Sequence, residues 1–504
     1  MAQPLVDIQG LHVTFSGKEV VHDFNLKIQP GEVISVVGES GSGKSVSALL
    51  SMGLLSPKAE VKASRAQFQG YDILTLTPTQ WTNLRSREVA MVFQDPMTAL
   101  HPTKRIGTQL AEVLQEHTSL TPTEISQRVL TALEEVEVPD PVLSAQKYPF
   151  QLSGGQRQRV VIAMAMLLEP ALIIADEPTT ALDKAVEAKV LELLNTLVRK
   201  RNTALWLISH DLELVAEFSD RVLVLFRGET VEEGSAKQIF ESPKHPYTQG
   251  LLGCRPPKEG RPYPLPVLDD FMKGHEVRQE ELALPSKDQK VLQIQGLKIA
   301  FSQKKGWSSV EKTIVEGFDM HLFKGETLGL IGPSGSGKST IGRAIVDLVE
   351  SQAGNISYTC AKHKVSFIFQ DPFSALNGSK TIGNILGSVL KLHRPYLNAS
   401  SRQQKAAELL KEVGLSAEDL KKKPAAFSGG QRQRIGIARA LAVEPEILIC
   451  DESVSALDVS VQAQVLNLLN EVKQRRGLSM IFISHDPDVV NYMCDRIITL
   501  VPHA

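Results

Sequence analysis

Cysteine is scarce. The four in 504 residues (Cys254, Cys360, Cys450 and Cys494) are scattered, with no CxxC pair. That excludes a disulfide framework or a cysteine-based zinc site, and suits reduced thiols in a cytosolic compartment. Neither sign of charge is in excess: 55 basic and 57 acidic residues leave a formal net charge of −2. Nothing in that balance points to a nucleic-acid binder or a polybasic membrane anchor. Long apolar runs are missing too. "VVIAMAMLL" from Val160 is among the longest, and it is far short of the roughly 18–20 residues of a spanning helix. The N-terminal "MAQPLVDIQG" has neither the basic nor the apolar region of a signal peptide, so we expect a soluble chain, one that can still sit against a membrane protein.

What is present is length and repetition. At 504 residues, 42% apolar and 22% charged, the chain is globular and too long for one ordinary core. "VVGESGSGKSVS" from Val36 returns as "LIGPSGSGKSTI" from Leu330, "FQDPMTAL" from Phe93 as "FQDPFSAL" from Phe369, and "LSGGQRQR" from Leu152 as "FSGGQRQR" from Phe427. "ADEPTTALD" and "CDESVSALD" follow, then "LISHD" and "FISHD". The shift between copies is 294 at the lysines (338 − 44), 276 at the glutamines (370 − 94) and 275 from the serines onward (428 − 153). So tight a spacing means one domain present twice. The slack corresponds to "FQGYDILTLTPTQWTNLRSREVAM" from Phe68, expected to be a surface strand and helix trimmed from copy two. We place the first domain at 1–253, a proline-rich, semi-extended linker containing "CRPPKEGRPYPLP" at 254–290, and the second domain at 291–504, shortened at its C-terminus. Apolar strand-like runs alternate with helical patterns, which gives an α/β class with a mainly parallel sheet.

Each copy carries a G-x-x-x-x-G-K-[ST] loop between a buried-strand pattern and a helix. Gly38, Ser40, Gly41, Ser42, Gly43, Lys44, Ser45 and Val46 form the first; Gly332, Ser334, Gly335, Ser336, Gly337, Lys338, Ser339 and Thr340 form the second. Glycines let backbone N–H groups turn inward around a phosphate, the helix dipole adds to the attraction, the lysine reaches the β/γ-phosphates and the serine ligates Mg²⁺. A lone match could be an ordinary glycine turn; two in the same context are not. Asp176 and Asp451 end apolar strands, as metal-holding acids do, and Glu177 and Glu452 beside them are placed to polarise a water. Two solvated carboxylates are the bland alternative. His210 and His485 follow a further strand and suit a γ-phosphate contact, although a lone histidine is usually structural. Gln94 and Gln370 could meet the metal or the water, or be surface amides. Ser153, Gly154, Gly155 and Gln156, and again Ser428, Gly429, Gly430 and Gln431, open helices as further anion sites.

This combination strongly resembles the ATP-binding subunits of ABC transporters, over nearly the whole chain. The resemblance implies ATP and Mg²⁺ as cofactors. It also implies two P-loop NTPase domains, each a mainly parallel sheet core with an antiparallel β subdomain and a helical subdomain. In the family two such domains pair head to tail around two ATPs. Carried over, Lys44, Ser45, Gln94, Asp176, Glu177 and His210 would work with the Ser428 helix, and Lys338, Ser339, Gln370, Asp451, Glu452 and His485 with the Ser153 helix. Asp183 and Asp458 match the loop that crosses the pair, and Phe15 and Phe301 stand where an aromatic stacks on adenine, unless they are plain core. The tail "EEGSAKQIFESPKHPYTQGLL" resembles that of the dipeptide/oligopeptide/nickel importer ATPases, and the tandem layout with its "PYPLP" connector is similar to their fused form. That implies two transmembrane permease subunits, an extracytoplasmic substrate-binding protein, and a peripheral place on the cytoplasmic face of the bacterial inner membrane. Some relatives bind iron–sulfur through a cysteine cluster in this tail; with only Cys254 there, no cluster is expected. Departures are Pro333 in the second loop, Ser453 in place of proline, and no second HPYT tail. Met97, Leu100, Phe373 and Leu376 are candidate permease contacts, or else internal packing. The rival, a soluble tandem ATPase of ribosomes or DNA repair, calls for a charged helical linker, zinc cysteines or a basic patch, and none is visible.

Overall fold

The computed structural model describes residues 3–501 apart from 180–183, 283, 286–287, 306–307, 334 and 456; the side chains of 185, 303–305, 308–310, 372 and 373 are also outside the description. The chain divides into two compact units, Met1–Leu252 and Gly253–Ala504.

Each unit is built on a buried sheet. In the first, the strand order is Glu229–Ser235, Arg221–Phe226, Val33–Val37, Ala204–Ile208, Leu172–Asp176, Val89–Val92. The first pair is antiparallel and the rest are parallel. The second unit gives Val365–Ile368, Ile447–Asp451, Ser479–Ile483, Thr327–Ile331, Arg496–Thr499, all parallel. VISVV, LIIAD and ALWLI are buried at every position, as strands covered on both faces must be. Beside each core lies an antiparallel sheet, of five strands in the first unit and three in the second. A helical region completes each unit. In the first, Ile106, Leu110 and Leu114 of one helix and Ile125, Val129 and Leu133 of the next turn inward at helical spacing. Thr121 and Glu124 close a capping box, with Pro122 at the first helical position. The tandem α/β architecture read from the sequence is therefore the one that folds.

The trimmed segment is visible as well. The first unit carries the two-residue strand Tyr71–Asp72 and the helix Pro78–Leu84 before Val89–Val92, while the second goes from Ala353–Tyr358 through a single 3₁₀ turn to Val365–Ile368. Trp81 of that extra helix is buried against Gly53, where a Cβ would stand 2.4 Å from the indole.

The proline-rich stretch differs from the expected semi-extended connector. Cys254 and Leu265 are buried in the second unit's core, and Val267, Leu268 and Phe271 pack against it. The backbone of Leu265 donates to Asn467 Oδ1 and accepts from Asn467 Nδ2, both at 2.8 Å. Arg261 donates to the carbonyls of Tyr492 (2.8 Å) and Met493 (3.1 Å) and to Asp495. Its one short ladder pairs Pro262–Tyr263 antiparallel with Glu280–Glu281. The contacts of Leu265 and Arg261 tie the run to the second unit, where Asn467 satisfies backbone groups that prolines keep out of longer regular structure.

Candidate active site

The C-terminal ends of the parallel strands converge on one edge, which is where open α/β sheets bind ligands. After Val33–Val37 the chain turns through Gly38 at φ 150°, and a Cβ there would lie 2.1 Å from the Leu225 carbonyl oxygen; Gly332 repeats this at φ 153°, 2.6 Å from that of Leu500. Only glycine fits such an approach. The helices Lys44–Ser51 and Lys338–Ile345 start directly after these loops. Lys44 Nζ donates to the carbonyls of Gly38 (2.7 Å) and Glu39 (2.8 Å), and Lys338 Nζ to those of Gly332 (2.7 Å) and Pro333 (3.0 Å). Each ammonium is thus folded back over its own loop.

The acids come from the neighbouring strands. Ser45 Oγ donates to Asp176 Oδ1 at 2.9 Å, and Ser339 Oγ to Asp451 Oδ1 at 2.7 Å. Burial, helped by the adjacent glutamate, pushes both aspartates above the usual carboxylate range, although the serine and lysine partly oppose this. Glu177 and Glu452 both sit at φ 45°, held by amide bonds of 2.9 Å to the Ile208 and Ile483 carbonyls. A left-handed backbone is costly for glutamate and recurs at functional sites. Gln94 Nε2 donates to Glu177 Oε2 at 2.8 Å, and Gln370 Nε2 to Glu452 Oε2 at 2.6 Å. His210 Nδ1 lies 3.8 Å from Glu177 Oε2, and His485 Nδ1 lies 3.6 Å from Glu452 Oε2. Burial works against a charge on His210, but Glu177, with Glu187 and Asp211, outweighs it and raises its pKa. Contact with His485 holds Glu452 below its ordinary value.

Ser153 and Ser428 each cap a helix, accepting from the amide three residues on, while Gln156 and Gln431 return the bond. Gly155 and Gly430 lie where a Cβ would meet Val186 (2.6 Å) and Val461 (2.2 Å). Asp458 stands at the N-cap of Val459–Arg476. Phe15 is half-buried at a strand end, whereas Phe301 is 44% exposed. Asp183 and Ser334 lie outside the described residues.

The donor set fits a phosphate chain with a hard cation. The buried hydroxyls of Ser42 and Ser336 and the buried Asp451 Oδ2 have no hydrogen-bond partner among the described residues. Orphans of this kind cost about 1–3 kcal/mol each unless a ligand satisfies them. A divalent ion beside Asp176 and Asp451 would also reverse the penalty that burial places on their charge.

With this geometry in view, the comparisons are direct. Residues 21–180 and 315–455 match the family described as ABC transporter. The chain belongs to the ABC transporter ATP-binding family. Residues 231–265 match the oligopeptide/dipeptide transporter C-terminal region. The chain is 39% identical to the uncharacterized ABC transporter ATP-binding protein YejF of Escherichia coli, over 99% of this chain and 94% of that one. It is 38% identical to the glutathione import ATP-binding protein GsiA of Salmonella typhi, over 98% and 84%. The structure of cbiO1 from Clostridium perfringens, part of the ABC transporter complex cbiONQ, aligns at 25% identity with 50% of this chain and 96% of that chain (TM-score 0.43). The chain is therefore an ATP-binding, ATP-hydrolysing subunit that powers a transporter of the peptide-importer type. A soluble ATPase of ribosomes or DNA repair is not supported.

Two ABC-site expectations change. Leu100 and Leu376, taken as permease contacts, are 2% and 3% exposed and belong to the cores. Five residues after each FQDP aspartate, they lie in the cores beneath the helical regions rather than on the surface. Met97 is 45% exposed, and the Phe373 side chain is outside the description. The sequence reading also missed an asymmetry between the copies. In the first unit buried Glu187 accepts from Thr179 Oγ1 at 2.5 Å, and Lys184 Nζ lies 3.0 Å from Asp211. The equivalent residues in the second are Gln462, Val454, Val459 and Asp486. Aligning the copies residue by residue would have exposed it.

Proposed function

We propose that this chain supplies both halves of a two-ATP engine for a peptide-type importer. The observation that carries the reading is the duplication of a complete site: lysine, serine–aspartate pair, left-handed glutamate, glutamine and histidine recur with matching geometry. The loop amides with Lys44 or Lys338 grip the β/γ-phosphates, and Ser45, Gln94 and Asp176, or Ser339, Gln370 and Asp451, hold Mg²⁺. When bound, that ion neutralises phosphate charge. Glu177 or Glu452 orients and polarises the attacking water, and His210 or His485 contacts the γ-phosphate. Phe15 and Phe301 stack on adenine. The Ser153 and Ser428 helices each close on the nucleotide held by the other unit, as the family resemblance implies.

The glutathione importer among its relatives supports a peptide-like substrate, two permease subunits and an extracytoplasmic binding protein. No described helix is long and apolar enough to cross a membrane, which fits a peripheral subunit on the cytoplasmic face of the bacterial inner membrane. Small-angle scattering on the full chain with hydrolysis blocked tests the clamp. MgATP should lower the radius of gyration and ATP with excess EDTA should not, because only a ligand with differential affinity for the closed state shifts the equilibrium. An unchanged radius at saturating MgATP would remove the clamp. Exposed Met97 remains the candidate permease contact in the first unit. Met97→Asp is expected to leave basal ATPase within about twofold while releasing the chain from permease-containing membranes, since a charge in an apolar groove is poorly tolerated. Retained sedimentation with those membranes would move docking elsewhere.

A further inference from the structure

The HPYT stretch, so far only a family marker, reaches the first phosphate loop. The Glu39 amide donates to Tyr247 Oη at 2.9 Å across 208 residues of sequence. Tyr247 is fully buried and stacked on Phe226 with ring centroids 4.2 Å apart. It is anchored in turn. Its own amide donates to His245 Nδ1 at 3.1 Å, and Glu232 accepts from the amides of Lys244 (2.8 Å) and His245 (3.0 Å). A chain of hydrogen bonds thus runs from the strand Glu229–Ser235 through the tail to the Gly38–Glu39 peptide, whose carbonyl, that of Gly38, accepts from Lys44 Nζ at 2.7 Å, as the Glu39 carbonyl does at 2.8 Å. The same hairpin touches the loop again, where Gly228 N donates to the Ser42 carbonyl at 3.1 Å. The second loop has Pro333 at the position of Glu39. Proline has no N–H to donate, yet its carbonyl accepts from Lys338 at 3.0 Å just as that of Glu39 does from Lys44. Its ring fixes φ without any external partner.

We propose that Tyr247 is a positioning residue for the first ATP site, holding the Gly38–Glu39 peptide so that the loop and Lys44 face the phosphates, and that Pro333 performs this task internally in the second. The first site is then under control of the tail and the second is not. This rests on the two-site reading above.

The test uses the full chain with one loop disabled at a time and MgATP as the probe. In the Lys338→Ala chain, which leaves the first site, Tyr247→Phe should weaken equilibrium ATP binding about five- to tenfold, the range of one hydrogen bond. In the Lys44→Ala chain it should change nothing. Glu39→Pro imports the second loop's device. With it in place, ATP affinity at the first site should return to within about twofold of the parent, and Tyr247→Phe should have no further effect. Phenylalanine keeps the ring on Phe226, and the melting temperature without nucleotide checks the fold. Should Tyr247→Phe prove unstable, the Glu39→Pro/Tyr247→Phe pair decides. Unchanged affinity at the first site, equal weakening of both sites, or persisting sensitivity in the Glu39→Pro chain would each overturn the proposal. If neither lysine change lowers ATP binding, the two-site reading itself falls, and that outcome does not involve Tyr247.

Discussion

ATP hydrolysis should fall by about 10²-fold or more in the Glu177→Gln/Glu452→Gln double variant, with each single variant clearly depressed. The change removes one thing. Glutamine has the shape of glutamate, so it can occupy the left-handed position and keep the amide bonds to the Ile208 and Ile483 carbonyls. Its amide oxygen can still accept from Gln94 or Gln370. What it cannot do is present a carboxylate to a water. Steady-state phosphate release together with ATP binding separates the effects: binding should survive while turnover does not. If one single variant kept full turnover and the other abolished it, one site would be degenerate. The buried hydrogen bond from Thr179 to Glu187, which Val454 and Gln462 of the second unit do not repeat, would then be the first place to look for the cause.

Much of this site is legible because its chemistry is local. A P-loop, a strand ending in two acids and a serine opening a helix are each written in a handful of consecutive residues. Their convergence follows from parallel strands sharing one edge. The two copies also check each other, since a coincidence in one would not recur at a fixed shift. What escaped the sequence depends on long-range packing. Leu100 and Leu376 look like exposed members of loop segments, and only the helices folded over them show otherwise. Tyr247 meets a loop more than 200 residues away, and no local pattern announces that bond. The stretch around Arg261 was misjudged for another reason. Proline content tells that a backbone is a poor former of helices and long ladders, not that it stays away from a neighbouring core.

That stretch yields the second large effect. In the first unit Asp220 accepts from the Val33 amide at 2.8 Å and is clasped through both oxygens by Arg199 of the helix Lys184–Lys200, at 2.9 and 2.8 Å. In the second unit Asp495 takes the matching bond from the Thr327 amide at 2.7 Å, but the residue equivalent to Arg199 is Gln474. Arg261, from the proline-rich stretch, supplies the guanidinium instead, in a pair only 13% and 5% exposed. Breaking a buried pair by removing one partner costs about 3–5 kcal/mol. Lys473 Nζ, 3.2 Å from Asp495, would still offset part of the loss. Arg261→Ala should therefore destabilise the second unit by about 3 kcal/mol, the low end of that range. Hydrogen exchange should rise by roughly 10²-fold in Arg496–Thr499 and Val459–Arg476 if they open with the unit as a whole, and the first unit's central strands should be unaffected. Placing the arginine where the first unit keeps it, Gln474→Arg in the Arg261→Ala chain, should restore most of the protection. Rescue would show that the stretch acts on the second unit through this one charge. Failure of rescue with protection still lost would assign the effect to the bonds that Arg261 donates to the Tyr492 and Met493 carbonyls.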